Sequence, residues 1–383
     1  MNRVLFVSNG HGEIAIAARL AVELEKIGAI GCDHLALVGD FKYASAMREV
    51  GPRRSMPSGG VIAMGNFRNI ARDLGAGLAM HTVAQLRFLR GVRGTYAAAI
   101  AVGDVFALLM ALQAHARSTV FIGTAKSVHV APYGPLEERA IRKADVAFVR
   151  DAPTAQRLAE HGIHARAANA IVDLYADDVP ALDAPFDPML ALFPGSREQA
   201  YDDAVFMARV VRTVLRERPG AGGAISIAPG IDPQRMCEHF ERDGWRVARG
   251  DRPQEPFSLY DGDREMLRAW QGPLGAMLQR ITLVLGQAGT ANEAAAARGI
   301  PVVAFARAGE ERAPWYRMRQ MGLLGDALLV ASADPDAAAS QVTALLRDPD
   351  RRERMGAIGR ERMGAPGAAA AIAEAIAQLV NVR

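Results

Sequence analysis

The chain has 383 residues, half of them apolar, with 37 Gly, 20 Pro and a net charge of +3 at pH 7. That length exceeds one ordinary core, so two domains are expected, and the composition excludes a disordered or fibrous chain. Although the pI is about 9.0, the excess of base is too small to demand a nucleic-acid partner, and any basic effect has to be local.

In chain order, residues 4–7 read as a buried strand that ends in Ser8-Asn9-Gly10-His11-Gly12-Glu13 and continues as a helix over 13–28. Strands follow at 35–38, 98–102, 120–122 and 146–149, with helices over 42–50, 67–92, 104–116 and 152–161. This alternation predicts a parallel sheet covered on both faces. Residues 172–188 are rich in Asp and Pro and read as a linker. The rhythm then restarts, with strands at 190–193, 224–228, 281–285 and 301–305 and helices over 199–217, 233–243 and 290–298. The expected fold class is α/β, two Rossmann-like doubly wound domains facing across a cleft. Their expected bounds are 1–180 and 181–365, with an Ala-rich helix in 366–383 packing back on the first. The first residues read as a strand and not a leader, and no run reaches ~18 uncharged apolar residues. Cys32 and Cys237 fit neither a disulfide framework nor metal-ligand spacing, so a reducing cytoplasm is the simple expectation.

In open α/β sheets ligands bind beyond the carboxyl ends of the strands, so the loops after strands carry the search. Three stand out. In the first, Asn9, Gly10 and Gly12 allow close approach of a ligand, His11 can act as a general base, and Glu13 can orient it or a sugar hydroxyl. A plain glycine turn with an incidental histidine competes with that. In the second, Pro194-Gly195-Ser196-Arg197, Ser196 is either the cap of the next helix or, with Arg197, part of an anion site. The third, Gly286-Gln287-Ala288-Gly289-Thr290, opens a helix whose N-terminus suits a phosphate, with Asn292 and Glu293 one turn in. There the competing reading is a capping box, Thr290 with Glu293. Asp104, after strand 98–102, is a second candidate base or a helix N-cap. The adjacent acids Asp202 and Asp203 read as a solvated helix face, and no Asp-x-Asp metal signature follows a strand.

The succession of Pro-Gly-Ser-Arg, a G-x-x-G-T-x-x-E turn before Gly299-Ile300-Pro301, and Gln320-Met321-Gly322-Leu323-Leu324-Gly325 resembles lipid A disaccharide synthase and, with SNGHGE and AGTANE, most of all the lipid A disaccharide synthase-related group. More distantly it is similar to the lipid II-forming N-acetylglucosaminyl transferase. The resemblance spans nearly the whole chain, in order, and implies a GT-B glycosyltransferase. It implies that a UDP-sugar donor, with no other cofactor and no metal, is held by the second domain. Arg197 would face the diphosphate with Gly195 and Ser196, Gly286 to Thr290 and Asn292 would cradle it, Glu293 would take the ribose, and Gln320 would lie near the sugar. The expected reaction is inverting transfer of a hexose, N-acetylglucosamine or similar, to a membrane-associated lipid acceptor, with His11 or Asp104 as base. The first loop departs from lipid A disaccharide synthase proper, which has no histidine there.

Residues 51–93 carry seven Arg against one acid, Asp73. Phe67, Arg68, Ile70, Arg72, Leu74, Leu78, Arg87 and Phe88 are the expected membrane contacts of a basic amphipathic helix, against the competing reading of a core stripe with solvated arginines. The expected location is the cytoplasm, at the inner face of its membrane, and a homodimer stays open. A UDP-sugar 2-epimerase and a non-catalytic nucleotide-binding or membrane adaptor are the alternatives on the same fold.

Overall fold

The computed structural model describes residues 2–28, 30–38, 47–54, 77–175, 179–216, 218, 220–309 and 314–381. The chain divides into two compact units, residues 1–174 with 366–383, and residues 175–365. Five of the expected membrane contacts, Phe67, Arg68, Ile70, Arg72 and Leu74, lie outside the described residues.

The first unit holds strands β1 (Arg3–Ser8), β2 (Gly31–Ala36), β3 (Met47–Glu49), β4 (Ala98–Gly103), β5 (Ser118–Gly123), β6 (Val146–Val149) and β7 (Ala165–Ala167). They form one sheet in the order β3-β2-β1-β4-β5-β6-β7, every pairing parallel. The connecting helices are α1 (His11–Ile27), α2 (Leu78–Gly91), α3 (Val105–Ala111), α4 (Pro135–Ile141) and α5 (Ala152–Glu160). Strands that are buried along their whole length need helices on both faces, which is why β4 and residues 120–122 of β5 read as apolar runs.

β3 replaces part of the helix expected over 42–50. Its Arg48 reaches the buried Asp33 of β2 at 2.8 Å, and Tyr96 donates to the same carboxylate at 2.8 Å. A distant ion pair and a ladder thus outweigh the local pattern.

The second unit holds β8 (Met189–Phe193), α6 (Ala200–Arg216), β9 (Gly222–Ser226), α7 (Pro233–Arg242), β10 (Arg246–Arg252), β11 (Glu255–Asp261), β12 (Arg264–Trp270), α8 (Leu274–Leu278), β13 (Ile281–Gly286), α9 (Thr290–Ala297), β14 (Val302–Phe305), α10 (Trp315–Leu324), β15 (Leu328–Ala331), α11 (Pro335–Arg347) and α12 (Pro349–Met363). The sheet order is β10-β11-β12-β9-β8-β13-β14-β15. Its last five strands are mutually parallel, as a doubly wound domain requires, but β10, β11 and β12 form an antiparallel meander that the β-α rhythm did not anticipate. Asp261-Gly262, with Gly262 at φ 61°, turns β11 into β12, and an Asp-Gly pair between alternating apolar residues is the local signal for it.

One other expectation is corrected. The stretch read as a linker does not run free over residues 179–188. Leu182, Ala184 and Phe186 are buried on alternate positions, and Arg280 donates to the Leu182 and Ala184 carbonyls at 3.0 and 2.8 Å. Among the described residues one helical stretch, Pro349–Asn381, is long and apolar enough to cross a membrane by length and composition, with a mean hydropathy of 1.3 over its apolar part. It is two helices, α12 and α13 (Ala368–Asn381), and α13 buries Ile372, Ile376 and Val380 in the core of the first unit.

Candidate functional site

The second unit presents its Gly-rich turn between the carboxyl end of β13 and α9. Gly286 ends the strand because the Asn292 side chain occupies the space beside it. A Cβ at Gly286 would fall 1.9 Å from Asn292 Oδ1. Asn292 is fully buried and its Nδ2 donates to the Gly286 carbonyl at 3.0 Å, tying the first turn of α9 back onto the strand. Gln287 donates through Nε2 to the Phe305 carbonyl at 2.8 Å, and the Gln287 and Ala288 amides both donate to the Phe193 carbonyl. The turn is therefore tied to the ends of β8 and β14 as well.

From α10, Gln320 Nε2 donates to the Ala288 carbonyl at 2.7 Å and the Gly289 carbonyl at 3.2 Å, while its Oε1 accepts from Asn292 at 3.3 Å. Gln320 and Asn292 are thus braces of the turn, with their polar atoms directed at protein. Glu293 is buried just below. The capping box does not form. Gly289 is the N-cap, Thr290 is the first helical residue, and no side chain among the described residues caps the helix. The first N–H groups of α9 have no intrahelical acceptor, and the helix places a partial positive charge there.

Pro194-Gly195-Ser196-Arg197 follows β8 on the same edge of the sheet. Ser196 is not the cap of α6, which starts four residues later at Ala200. Ser196 and Arg197 are exposed, and the Arg197 guanidinium makes no hydrogen bond or ion pair among the described residues. The next pair of acids is divided by the helix. Asp202 is solvated, but Asp203, about 100° around α6, is buried and accepts from Arg307 at 2.9 and 2.5 Å. The expectation of a solvated face fails at Asp203 because that position turns toward the end of β14. Burial pushes its carboxyl above the usual aspartate range, and the Arg307 guanidinium opposes the rise. Arg307 was missed in the sequence, although it stands two residues beyond β14, where the search rule looks.

In the first unit, Ser8 ends β1, Asn9 follows it, Gly10 caps α1 and His11 is the first helical residue. Asn9 is buried, donates to Asp104 Oδ1 at 3.4 Å, and leaves its side-chain Oδ1 without a partner among the described residues. Asp104 caps α3, accepting from the Ala107 amide at 3.0 Å. Burial pushes the Asp104 carboxyl up, the backbone N–H groups of Ala107 and Phe106 hold it back, and the Glu137 carboxylate adds to the rise. Glu13 reaches under the end of β4, where a Cβ on Gly103 would stand 2.6 Å from its carboxyl. Asn9, Glu13 and Asp104 are thus assembled across β1, α1 and β4.

The same edge carries groups the sequence reading passed over. Glu137 accepts from Lys126 at 2.6 Å, and the buried Arg150 donates to the Thr124 carbonyl at 2.9 Å. Gly134-Pro135 with Glu137 three residues after Gly134 is a helix start, and it was the available signal for Glu137.

α2 is fixed by its inner face. Gln85 donates to the Ala36 and Leu37 carbonyls at 3.1 Å each, and Leu89 enters the core. Phe88, half-buried, packs toward Gly51 and the core, and Leu78 is half-buried as well. The outer face carries Met80, 76 % exposed, with Val83, Arg87 and Arg90.

No family model matches the chain, and no curated protein matches it. Solved structures do. A putative UDP-N-acetylglucosamine 2-epimerase from Listeria monocytogenes superposes with a TM-score of 0.62 at 15 % identity, over 100 % of this chain and 97 % of that one. The calicheamicin glycosyltransferase CalG4 gives 0.63 at 15 % over 100 % and 98 %, and MurG of Acinetobacter baumannii 0.56 at 13 % over 99 % and 100 %. Likeness at these identities establishes a shared fold, two Rossmann-like α/β units of GT-B type, and leaves chemistry to the site.

Proposed function

We propose that the protein is a nucleotide-sugar enzyme that transfers a hexose, N-acetylglucosamine or a similar sugar, from a UDP-sugar to a lipid acceptor at a membrane surface. The carrying observation is the Gly286–Thr290 turn, braced from four sides at the N-terminus of α9, with the exposed Arg197 on the same sheet edge and without a partner among the described residues. The α9 N–H groups and Arg197 neutralise a leaving diphosphate without a metal, and Glu293 takes the ribose. Solved structures named for UDP or UDP-N-acetylglucosamine complexes have this fold at 13 % identity, which agrees with a donor of that class. SNGHGE, AGTANE and QMGLLG carry the narrower likeness to lipid A disaccharide synthase-related proteins.

On the acceptor side Asp104 is the better-supported base, since its raised proton affinity brings it nearer the working pH. His11, at the start of α1, is the alternative. The acceptor hydroxyl loses its proton to that base while its oxygen bonds to the anomeric carbon and the diphosphate departs. The basic outer face of α2 suits an anionic membrane.

One observation favours a second reading. Glu13, Asp104, Glu137, Lys126 and Arg150 crowd one sheet edge, a denser set of acid and base groups than the sequence suggested, and suited to a 2-epimerase that works on the UDP-sugar alone. Free UDP-sugar decides between them. Conversion of UDP-N-acetylglucosamine without acceptor establishes the epimerase, whereas turnover only with added lipid establishes the transferase. Thermal shift with UDP, UDP-N-acetylglucosamine, UDP-glucose and GDP-mannose tests the donor site itself. A UDP-selective rise that Glu293→Ala abolishes is expected, and no shift with any nucleotide overturns the proposal.

A further inference from the structure

Gln320 holds the turn only as firmly as α10 is held, and α10 is anchored at its other end by groups the proposed reaction does not use. Asp203, in the first turn of α6, accepts two hydrogen bonds from Arg307, Nε to Oδ1 at 2.9 Å and Nη2 to Oδ2 at 2.5 Å. The third guanidinium nitrogen, Nη1, meets the hydroxyl of Tyr316, the second residue of α10. The Arg307 and Arg317 guanidinium carbons lie 5.7 and 5.9 Å from the centre of the Tyr316 ring. Arg317 is 2 % exposed, so one face of this end of α10 is buried in the unit, while Trp315 and Met318 stay exposed.

Gln320 follows Tyr316 by four residues, one turn along the same helix face, and there it holds Ala288, Gly289 and Asn292. A continuous set of hydrogen bonds therefore runs from α6 through the loop after β14 and the body of α10 to the Gly286–Thr290 turn. A two-pronged guanidinium–carboxylate pair has a fixed direction, so it sets the rotation of whatever it holds.

We infer that Asp203, Arg307 and Tyr316 are positioning residues for the diphosphate turn: they fix the axial rotation of α10 and thereby the reach of Gln320 to the Ala288 and Gly289 carbonyls. The inference rests on the nucleotide-sugar reading for its consequence in binding, but not for the mechanical link. Arg307→Lys keeps the charge and cannot span Asp203 and Tyr316 together. Gln320→Met keeps the length and loses the hydrogen bonds.

Each variant is expected to weaken UDP binding about tenfold, the size of a typical coupling between contacting groups, and the double variant is expected to be no weaker than either. In hydrogen exchange read by mass spectrometry, both single variants are expected to speed exchange in residues 286–293 while 222–226 and 335–347 keep the wild-type rates. Asp203→Asn, which retains an acceptor, repeats the measurement should Arg307→Lys fold poorly. Unchanged exchange at 286–293, additive losses in the double variant, or a uniform rise across all three segments would each overturn the link. If the wild type binds no UDP, the functional reading falls, and the exchange measurement alone still decides the clamp.

Discussion

Gly286 has no room for a methyl group, because Asn292 stands where a Cβ would go and is itself held on two sides. Gly286→Ala is expected to cost about 1–3 kcal/mol, as overpacking does in a closed site, and to abolish the nucleotide-induced thermal shift. Urea unfolding reads the first effect, and wild-type stability would sink the account. His34 supplies a pH dependence. Burial, reinforced by the Arg53 charge, pushes its imidazole from 6.5 down to about 4. The folded protein keeps His34 neutral while the unfolded chain takes up a proton below pH 6.5. Stability is therefore unaffected above that pH and falls as pH drops from 6.5 toward 4. Ser8 Oγ lies 2.9 Å from His34 Nε2, so His34→Gln should lose some stability at pH 8 yet flatten the decline. Urea midpoints across pH 4.5–7.5 check it, and an equally steep decline in the variant counts against this assignment. Asp104→Asn leaves an α3 cap in place and removes the base. A 10²- to 10⁴-fold loss of turnover, on the order of general-base effects, is expected with nucleotide binding retained.

At the level of elements, α9 and α13 are both Ala-rich and read alike in sequence, yet they do different things. α9 is short, uncapped by any side chain among the described residues, and offers its N-terminus. α13 closes one face of the first unit, with Ile376 fully buried among Ile16, Leu20 and Ile372. Ile376→Ala should cost about 2–5 kcal/mol in chemical unfolding of the first unit, as large-to-small core changes do, and a loss below about 1 kcal/mol would show that the site collapses around the gap. α6 shows how one helix divides neighbouring acids between solvent and a buried pair. The meander β10–β12 shows that a doubly wound rhythm need not extend to the sheet edge. Its outermost strand carries Arg246, Arg249 and Arg252, exposed charges that discourage pairing with another chain.

For the whole molecule, the nucleotide prediction is the sharpest. A ligand at 100 times its Kd stabilises the folded state by about 2.7 kcal/mol, so UDP at such excess should raise the melting temperature measurably, while a matched concentration of GDP should leave it near the unliganded value. The sequence by itself determined the fold class, because buried parallel strands are apolar throughout and helices between them are amphipathic, and both patterns are local. It also placed the turns after β1, β8 and β13, since glycines and caps at strand ends are local signals. Tertiary structure decided what each polar residue at those turns does. Asn292 and Gln320 became braces and Asp203 became half of a buried pair through partners up to 104 residues away, while burial raised the proton affinity of Asp104. Neither periodicity nor spacing encodes such partners. They exist only once the strands have brought their carboxyl ends to one edge, where burial sets the strength of every charge.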